Sequence, residues 1–211
     1  EDAAAYADLV NVYGCTKKVE GALVNDNGEY GVDTNDANSF KEIITDINNV
    51  SGTDATVVVP AGEVVLPSDL GNADMKLSVL GAGIDNTTVN GTPNSYGNTN
   101  HPGNFAHGKD LYFKDLTYVT PNSGYQGGFG HAKSVTFENC KIVGQFYCHS
   151  GAPHKFINCT IDPLNGYLYT YASGWEFINC TFEASEGKAL QVYEDSATGS
   201  NKVIIDGCTF T

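Results

Sequence analysis

The sequence contains no arginine, and its 11 lysines stand against 25 Asp and Glu residues, which gives a formal net charge of −14. Nucleic-acid binding is disfavoured, because neutralising phosphates needs clustered Lys and Arg side chains. Tight binding of a polyanionic polysaccharide is disfavoured for the same electrostatic reason. The acidity by itself therefore favours solubility more than any particular partner.

Long apolar runs are also missing. None approaches the roughly 18 residues that indicate a membrane-spanning helix, so membrane insertion is not expected. The start, EDAAA, shows no signal peptide and is typical of a terminus from which a targeting segment has been removed. The chain of 211 residues contains 24 Gly, 12 Tyr and 10 Phe, which favours an all-β domain with many turns.

One short pattern occurs four times in the C-terminal third of the chain. The copies are Val135–Cys140, His154–Cys159, Trp175–Cys180 and Val203–Cys208, and a weaker copy is Leu111–Leu116. Equivalent positions recur after 24, 19, 21 and 28 residues, a spacing that predicts a solenoid. Apolar residues alternate with period two within each copy, which predicts strands.

Four of the six cysteines, Cys140, Cys159, Cys180 and Cys208, occupy the same position of this repeat. We expect a buried column of reduced thiols, since free Cys packs as a small hydrophobic residue. Neighbouring rungs lie about 4.8 Å apart, which permits a disulfide by distance. In-register parallel neighbours rarely have the required dihedral, however. A zinc site is less favoured, because there is no CxxC or CxxH pair.

The N-terminal part has a different organisation. Residues 1–34 form a segment of ambiguous structure, and residues 35–50 are predicted as a helix with Asn35 or Asp36 as its cap. Its apolar face would cover the open end of the solenoid with Phe40, Ile43, Ile44 and Ile47. Rungs follow over residues 56–211. No linker interrupts the chain, so residues 1–211 are predicted to form a single domain.

The order of these elements resembles a known superfamily. Phe40-x-x-Ile43, then VVVPAG at Val57–Gly62, then LSVLGAG at Leu77–Gly83 and Thr87-Thr-Val89 look like the N-terminal region of pectin-lyase-like proteins, pectinesterases in particular. The resemblance runs from Asn35 to the C-terminus. It implies an all-β fold: a right-handed, single-stranded parallel β-helix with three strands per rung and a short N-terminal capping α-helix. It also implies an internal Asn ladder and a secreted or cell-surface bacterial protein.

The catalytic residues of the resembled enzymes are not matched. Gly124–Gln126 resembles the start of a pectinesterase motif, but Gly127 stands where the following Asp is expected. Phe146 holds the place of the nucleophilic carboxylate, and the substrate-binding arginine is absent. We therefore expect no catalytic residues, no metal and no cofactor. A polysaccharide esterase or lyase that uses other residues stays an alternative.

Five segments precede the copies of the repeat, and alternation sorts their side chains. Those predicted to point outward are Phe105, His107, Phe129, His131, Tyr147, His149, Tyr169, Tyr171, Gln191 and Tyr193. Such a stripe favours binding of sugar rings or of a protein. A loop, the N-terminal segment or a neighbouring domain could instead cover it. The three histidines could stack around Zn²⁺, but no supporting carboxylate is identifiable, so we assign them to the stripe.

The predicted function is a non-catalytic extracellular binding or adhesion module. Its expected partners are a glycan or a host or bacterial surface protein. The alternative to binding is a structural stalk. The sequence stops at Cys208–Thr211 within a rung, so we expect the natural protein to continue there or to associate with another copy through the open end.

Overall fold

The computed structural model describes residues 17–19, 22–25, 27–50, 53–92, 104–121, 128–147, 152–171, 174–183, 188–193 and 202–211. Their regular structure is mostly β-strand, and they contain the helix α1, Ser39–Asn49. No helix in this described part has the length and apolar character needed to cross a membrane.

The strands fall into three sets. The first sheet has, in spatial order, β1 (Lys17–Val19), β2 (Ala22–Val24), β3 (Tyr30–Gly31), β4 (Ala55–Val58), β6 (Lys76–Leu80), β9 (Asp110–Lys114), β12 (Ser134–Glu138), β15 (His154–Ile157), β18 (Trp175–Ile178) and β21 (Val203–Asp206). The second sheet has β5 (Gly62–Val65), β7 (Thr87–Asn90), β10 (Thr117–Val119), β13 (Lys141–Val143), β16 (Thr160–Asp162), β19 (Thr181–Phe182) and β22 (Thr209–Phe210). The remaining strands, called the third strands, form two small sheets: β8 (Asn104–Phe105) with β11 (Phe129–Gly130), and β14 (Phe146–Tyr147) with β17 (Leu168–Tyr171) and β20 (Leu190–Tyr193).

The chain enters these sets in a repeating order. From β6 onward it passes through the first sheet, the second sheet and a third strand before it returns to the first sheet. Successive strands within a sheet pair in parallel, for example Phe137 with Phe156. The pairings of β2 with β1 and β3 are antiparallel. The repeating order and parallel pairing are consistent with the β-helix-like fold that the sequence predicts.

The core repeats with the strands. Phe113, Phe137, Phe156 and Phe177 lie at equivalent positions of the first sheet, and their neighbouring ring centroids are 4.9, 5.4 and 5.1 Å apart. All four rings are fully buried. Stacking follows from the pairing register, since identical residues meet at about the strand spacing of 4.8 Å. Trp175 is also fully buried, as its place in the repeat predicts.

The predicted column of reduced, buried thiols is confirmed for Cys140, Cys159 and Cys180, while Cys208 is partly exposed. Each thiol donates to the carbonyl of a phenylalanine one turn of the chain earlier. The Sγ of Cys159, for example, lies 3.5 Å from the carbonyl oxygen of Phe137. Burial raises the pKa of the Cys140 thiol to about 12. Cys140 therefore serves as an inert packing group.

A left-handed residue precedes each cysteine. Asn139, Asn158 and Asn179 have φ values of 52°, 52° and 53°, and Gly207 takes the same place with 63°. Asn tolerates this conformation better than most non-glycine residues. The prediction of an internal Asn ladder, which the resemblance implies, is wrong, because these asparagines are exposed at the surface.

Helix α1 is confirmed over a shorter range than predicted. It begins at Ser39, because the Ser39 hydroxyl accepts from the Asp33 N–H at 2.9 Å and the Asp36 carboxylate accepts from the Asn38 N–H at 2.9 Å. Neither predicted residue is the N-cap, which is Asn38. The predicted apolar face is confirmed, since Phe40 and its partners on that face belong to the buried core.

Candidate binding surface on the third strands

The third strands carry core residues on one face and the candidate surface on the other. Phe146 pairs with Leu168, and both are fully buried in the core. The next positions, Tyr147, Tyr169 and Gln191, pair with one another across β14, β17 and β20. Since side chains alternate along a strand, these three lie on the face away from the core. Their predicted adjacency is confirmed.

Three tyrosines form a cluster on this face, called the tyrosine cluster: Tyr147, Tyr167 and Tyr169. The ring centroids of Tyr147 and Tyr169 are 4.8 Å apart, and Tyr167 meets Tyr169 edge-on at 5.8 Å. Tyr167 and Tyr169 are partly buried. Tyr147 is only 6% exposed, so its predicted exposure is wrong. Its predicted position beside Tyr169 is correct.

Tyr167 was not among the predicted site residues. It lies one residue before β17, and its main-chain oxygen accepts from the Phe146 N–H at 3.3 Å. The alternating tyrosines at 167, 169 and 171 are the sequence signal that points to it. Beside the cluster, the Lys188 ammonium lies 3.5 Å from the Gln191 side-chain oxygen.

The outward orientation predicted for Phe129 is wrong. Its ring is fully buried and lies 5.2 Å from the Phe113 ring. The predicted orientation treats Phe129 as equivalent to Phe105, whereas Phe129 pairs with Asn104 and Phe105 pairs with Gly130. A shift of one residue turns a side chain to the other face of a strand.

His107 and His131 stack face to face, as predicted, with centroids 4.6 Å apart and ring planes 7° apart. Both are exposed. His131 has a φ of 60°, so the chain leaves the strand there, and its carbonyl accepts from the Gly108 N–H at 3.1 Å. We call these residues the histidine pair. Within the described part of the chain, no group of three or more His, Cys, Asp or Glu residues could hold a metal ion.

A shallow cavity of about 290 Å³ adjoins the histidine pair. Asp69, Gly71, Asn72 and His107 line it, so a carboxylate, an amide and an imidazole face the same space. The Asp69 carboxylate also accepts from the Gly71 N–H at 2.7 Å. Sequence reasoning missed this cavity, because residues 69–72 precede β6 and carry no repeat pattern.

The buried Lys109 lies close to His107 in the sequence. Its ammonium donates to the Asn48 side-chain oxygen at 3.0 Å and to the Ala73 carbonyl at 3.1 Å. Burial lowers the pKa of Lys109, and the Asp69 carboxylate opposes that shift. Lys109 therefore connects Asn48 on α1 to Ala73, in the segment that precedes β6.

Some predicted site residues cannot be placed. His149 and the Gly124–Gln126 motif lie outside the described residues, and so do the side chains of Phe105, Tyr171 and Tyr193.

A scan against models of protein families, a search among curated proteins and a search among solved structures each gave no match.

Proposed function

We propose that this chain is a secreted or cell-surface binding module without catalytic activity, and that it binds glycans on the outer face of the third strands. We further propose that its fold is a right-handed, pectin-lyase-like β-helix with three strands per rung. The constant order of first sheet, second sheet and third strand supports this fold, as does the parallel pairing from β3 onward.

The tyrosine cluster carries the proposal. Tyr167 and Tyr169 present partly exposed rings beside Gln191 on one face. Aromatic rings offer a large apolar area at low entropic cost, and they stack well on the apolar faces of pyranose rings. The Gln191 amide supplies donors and acceptors for the hydroxyl groups at the ring edges. The site therefore combines the two kinds of contact that a sugar requires.

The histidine pair and its cavity would extend this surface. Asp69, Asn72 and His107 offer polar atoms toward a cavity of about 290 Å³. Binding sites of this kind typically combine apolar area with a few converging polar groups. A chain of sugar units would use both regions, with stacking at the tyrosines and hydrogen bonds at the cavity.

The negative charge of the protein favours neutral glycans over anionic ones. The chain carries −14, and Asp69 lies in the cavity itself. Anionic sugars would be repelled, whereas a neutral glycan would not. We therefore expect neutral oligosaccharides as ligands and little dependence of their binding on salt.

The test is an array of neutral and anionic glycans, followed by calorimetric titration of the best ligand. The Tyr167→Ala/Tyr169→Ala variant should bind at least about tenfold more weakly, a loss of about 1.4 kcal/mol. The matched control is Tyr112→Ala, which removes a partly exposed tyrosine from the first sheet. It should bind like the wild type.

Each outcome decides the proposal. Absence of binding by the wild type to every neutral glycan would overturn it, and so would equal losses in the cluster variant and the Tyr112 control. Turnover of a polysaccharide by the wild type would replace it with the enzymatic alternative. Binding that disappears only in the cluster variant supports it.

A further inference from the structure

The second sheet has an open edge at β5. This strand, Gly62–Val65, is the last in its sheet and pairs with β7 on one side. On its other side no strand lies among the described residues. An unpaired strand edge presents main-chain donors and acceptors to any extended chain that reaches it.

The hydrogen bonds of β5 show which groups are offered. The N–H groups of Gly62 and Leu66 donate to the carbonyls of Asn86 and Asn90 at 2.9 and 2.8 Å. Because alternate residues of a parallel strand point to opposite sides, the main-chain groups of Glu63 and Val65 face away from β7. Within the described residues these groups have no main-chain partner. Two residues are thus available for a new ladder.

A groove runs along this edge. It is a cavity of about 270 Å³ between β5 and the segment 34–37. Its floor is apolar, since Val32, Phe40 and Val64 are all buried, and Val65 stands at its rim with 57% exposure. The cavity accommodates an apolar side chain of an added strand.

The opposite wall of the groove is preformed. Its segment is held by the bonds from the Asp33 N–H to the Ser39 hydroxyl and from the Asn38 N–H to the Asp36 carboxylate, each 2.9 Å. Thr34 lies so close to β5 that a Cβ on Gly62 would come within 3.1 Å of its Cβ. A wall that is already ordered lowers the entropic cost of binding.

The charge around the groove restricts its occupant. The exposed carboxylates of Asp36 and Glu63 line it, without any lysine among the lining residues. A second copy of the chain is a poor fit, since it brings 25 acidic side chains against 11 lysines. Residues 1–13 fit no better, because they carry acidic residues and no lysine. A basic segment from another protein has the complementary charge.

We propose that the edge of β5 docks an extended segment of a partner protein that contains lysine or arginine. The segment adds a strand beside Gly62–Val65, inserts one apolar side chain over Phe40, and pairs its cations with Asp36 and Glu63. Strand addition of this kind takes its affinity from main-chain hydrogen bonds and its specificity from the side-chain pocket. The proposal does not depend on glycan binding.

The first test is fluorescence anisotropy of a labelled hexapeptide of alternating Lys and Val, titrated with the full chain. Saturable binding is expected. A peptide methylated on alternate main-chain nitrogens, and one with Glu in place of Lys, should each bind at least about tenfold more weakly. Equal affinity for the methylated peptide would overturn strand addition, and equal affinity for the Glu peptide would overturn the charge requirement.

Protein variants locate the site. Val65→Pro removes an N–H that faces away from β7, a position where an edge strand tolerates proline, so circular dichroism should remain that of the wild type. Its peptide affinity should fall about tenfold or more. Asp36→Asn/Glu63→Gln should also weaken binding, while Asp85→Asn/Glu183→Gln, which removes two carboxylates elsewhere, should not. If Val65→Pro does not fold, the Asp36→Asn/Glu63→Gln variant still tests the site. Unchanged peptide affinity in that variant would refute it.

Hydrogen exchange identifies the occupant. The amides of Glu63 and Val65 should exchange rapidly in the free protein and slowly in the peptide complex. Slow exchange in the free monomer would mean that a segment of the same chain occupies the edge. Protection that appears only as protein concentration rises would mean a second copy. Either result overturns the proposed partner.

Discussion

His154 lies among aromatic rings in the core, where its imidazole is held neutral. Its ring stacks on Trp175 with centroids 4.3 Å apart, and Nδ1 lies 2.8 Å from the Ala152 carbonyl oxygen. That contact requires the proton on Nδ1, so the second nitrogen is buried without a hydrogen-bond partner among the described residues. Burial lowers the pKa of His154 to about 4 from the usual 6.5.

This shift predicts acid sensitivity. Above pH 6.5 the imidazole is neutral in both states and has no effect on the pH dependence. As pH falls from 6.5 to 4, the unfolded chain takes up a proton that the folded chain refuses, so stability drops by at most about 3 kcal/mol. As pH falls through this window, the free energy of unfolding measured in urea should therefore decrease more in the wild type than in His154→Phe. That variant keeps an aromatic ring and cannot titrate. Parallel pH profiles for the two proteins would refute the assignment.

Asn158 tests the left-handed turn. Its φ of 52° is unfavourable for most side chains, and its main-chain N–H donates to the Ile178 carbonyl at 2.9 Å whatever the side chain. Asn158→Ala should cost about 1 kcal/mol in urea unfolding, and Asn158→Gly should be close to neutral. The control is Asn165→Ala, at an exposed turn residue without a positive φ. A control loss as large as that of Asn158→Ala would contradict the strain argument.

At the scale of elements, α1 is joined to the strands through Asn48. The Asn48 amide donates to the Leu70 carbonyl at 2.9 Å, and its oxygen accepts from the buried Lys109 ammonium at 3.0 Å. The core cluster alone would hold the apolar face of the helix in place. The polar contact fixes where the last turn of the helix lies against residues 70–73.

Removing Asn48 should be costly, because the Lys109 ammonium is left buried with fewer partners. We expect Asn48→Ala to lose about 3 kcal/mol of stability in urea unfolding. Lys109→Met removes the charge, so the double variant should lose less than the sum of the single losses, by more than about 1 kcal/mol. Asn49→Ala, on the exposed side of the same helix, should be nearly neutral. Additive losses would show that the two residues are not coupled.

The elements were predictable where the sequence repeats. Strands β12, β15 and β18 share alternating apolar residues, and the same alternation places Phe137, Phe156 and Phe177 in the core. The start of α1 was less predictable, because Asn35, Asp36 and Asn38 are all residue types that favour a helix N-cap. The structure places Asn38 at that position.

The candidate surface was predictable only in part, because the third strands do not repeat. With two residues in β11, nothing local sets the register, and Phe129 could be assigned to the wrong face. Tyr147 was assigned to the right face but to the wrong exposure, since burial there depends on side chains from other segments. The stacking of the histidine pair was predicted by equating His107 with His131, although the strands just before them pair with a shift of one residue.

At the scale of the whole molecule, each turn of the chain contacts chiefly the turns before and after it. The phenylalanine stack, the thiol contacts and the strand pairings all join neighbouring turns. Stability of such a molecule is approximately a sum over turns and their interfaces. One complete turn should therefore be removable without disturbing the structure of the others.

Excision of residues 141–159 tests this directly. Lys141 and Thr160 are paired in the second sheet, so Thr160 can follow Cys140 in the conformation that Lys141 now has. The shortened chain should unfold cooperatively in urea and keep its β-type circular dichroism, with lower stability because one interface is lost.

The control is excision of residues 141–149, which removes β13 and β14 but leaves β15. The chain then no longer passes through the three sets of strands in their repeating order. That control should lose cooperative unfolding. If both excised proteins behave alike, the sheets do not depend on a repeating order of three strands, and the proposed three-strand rung is wrong.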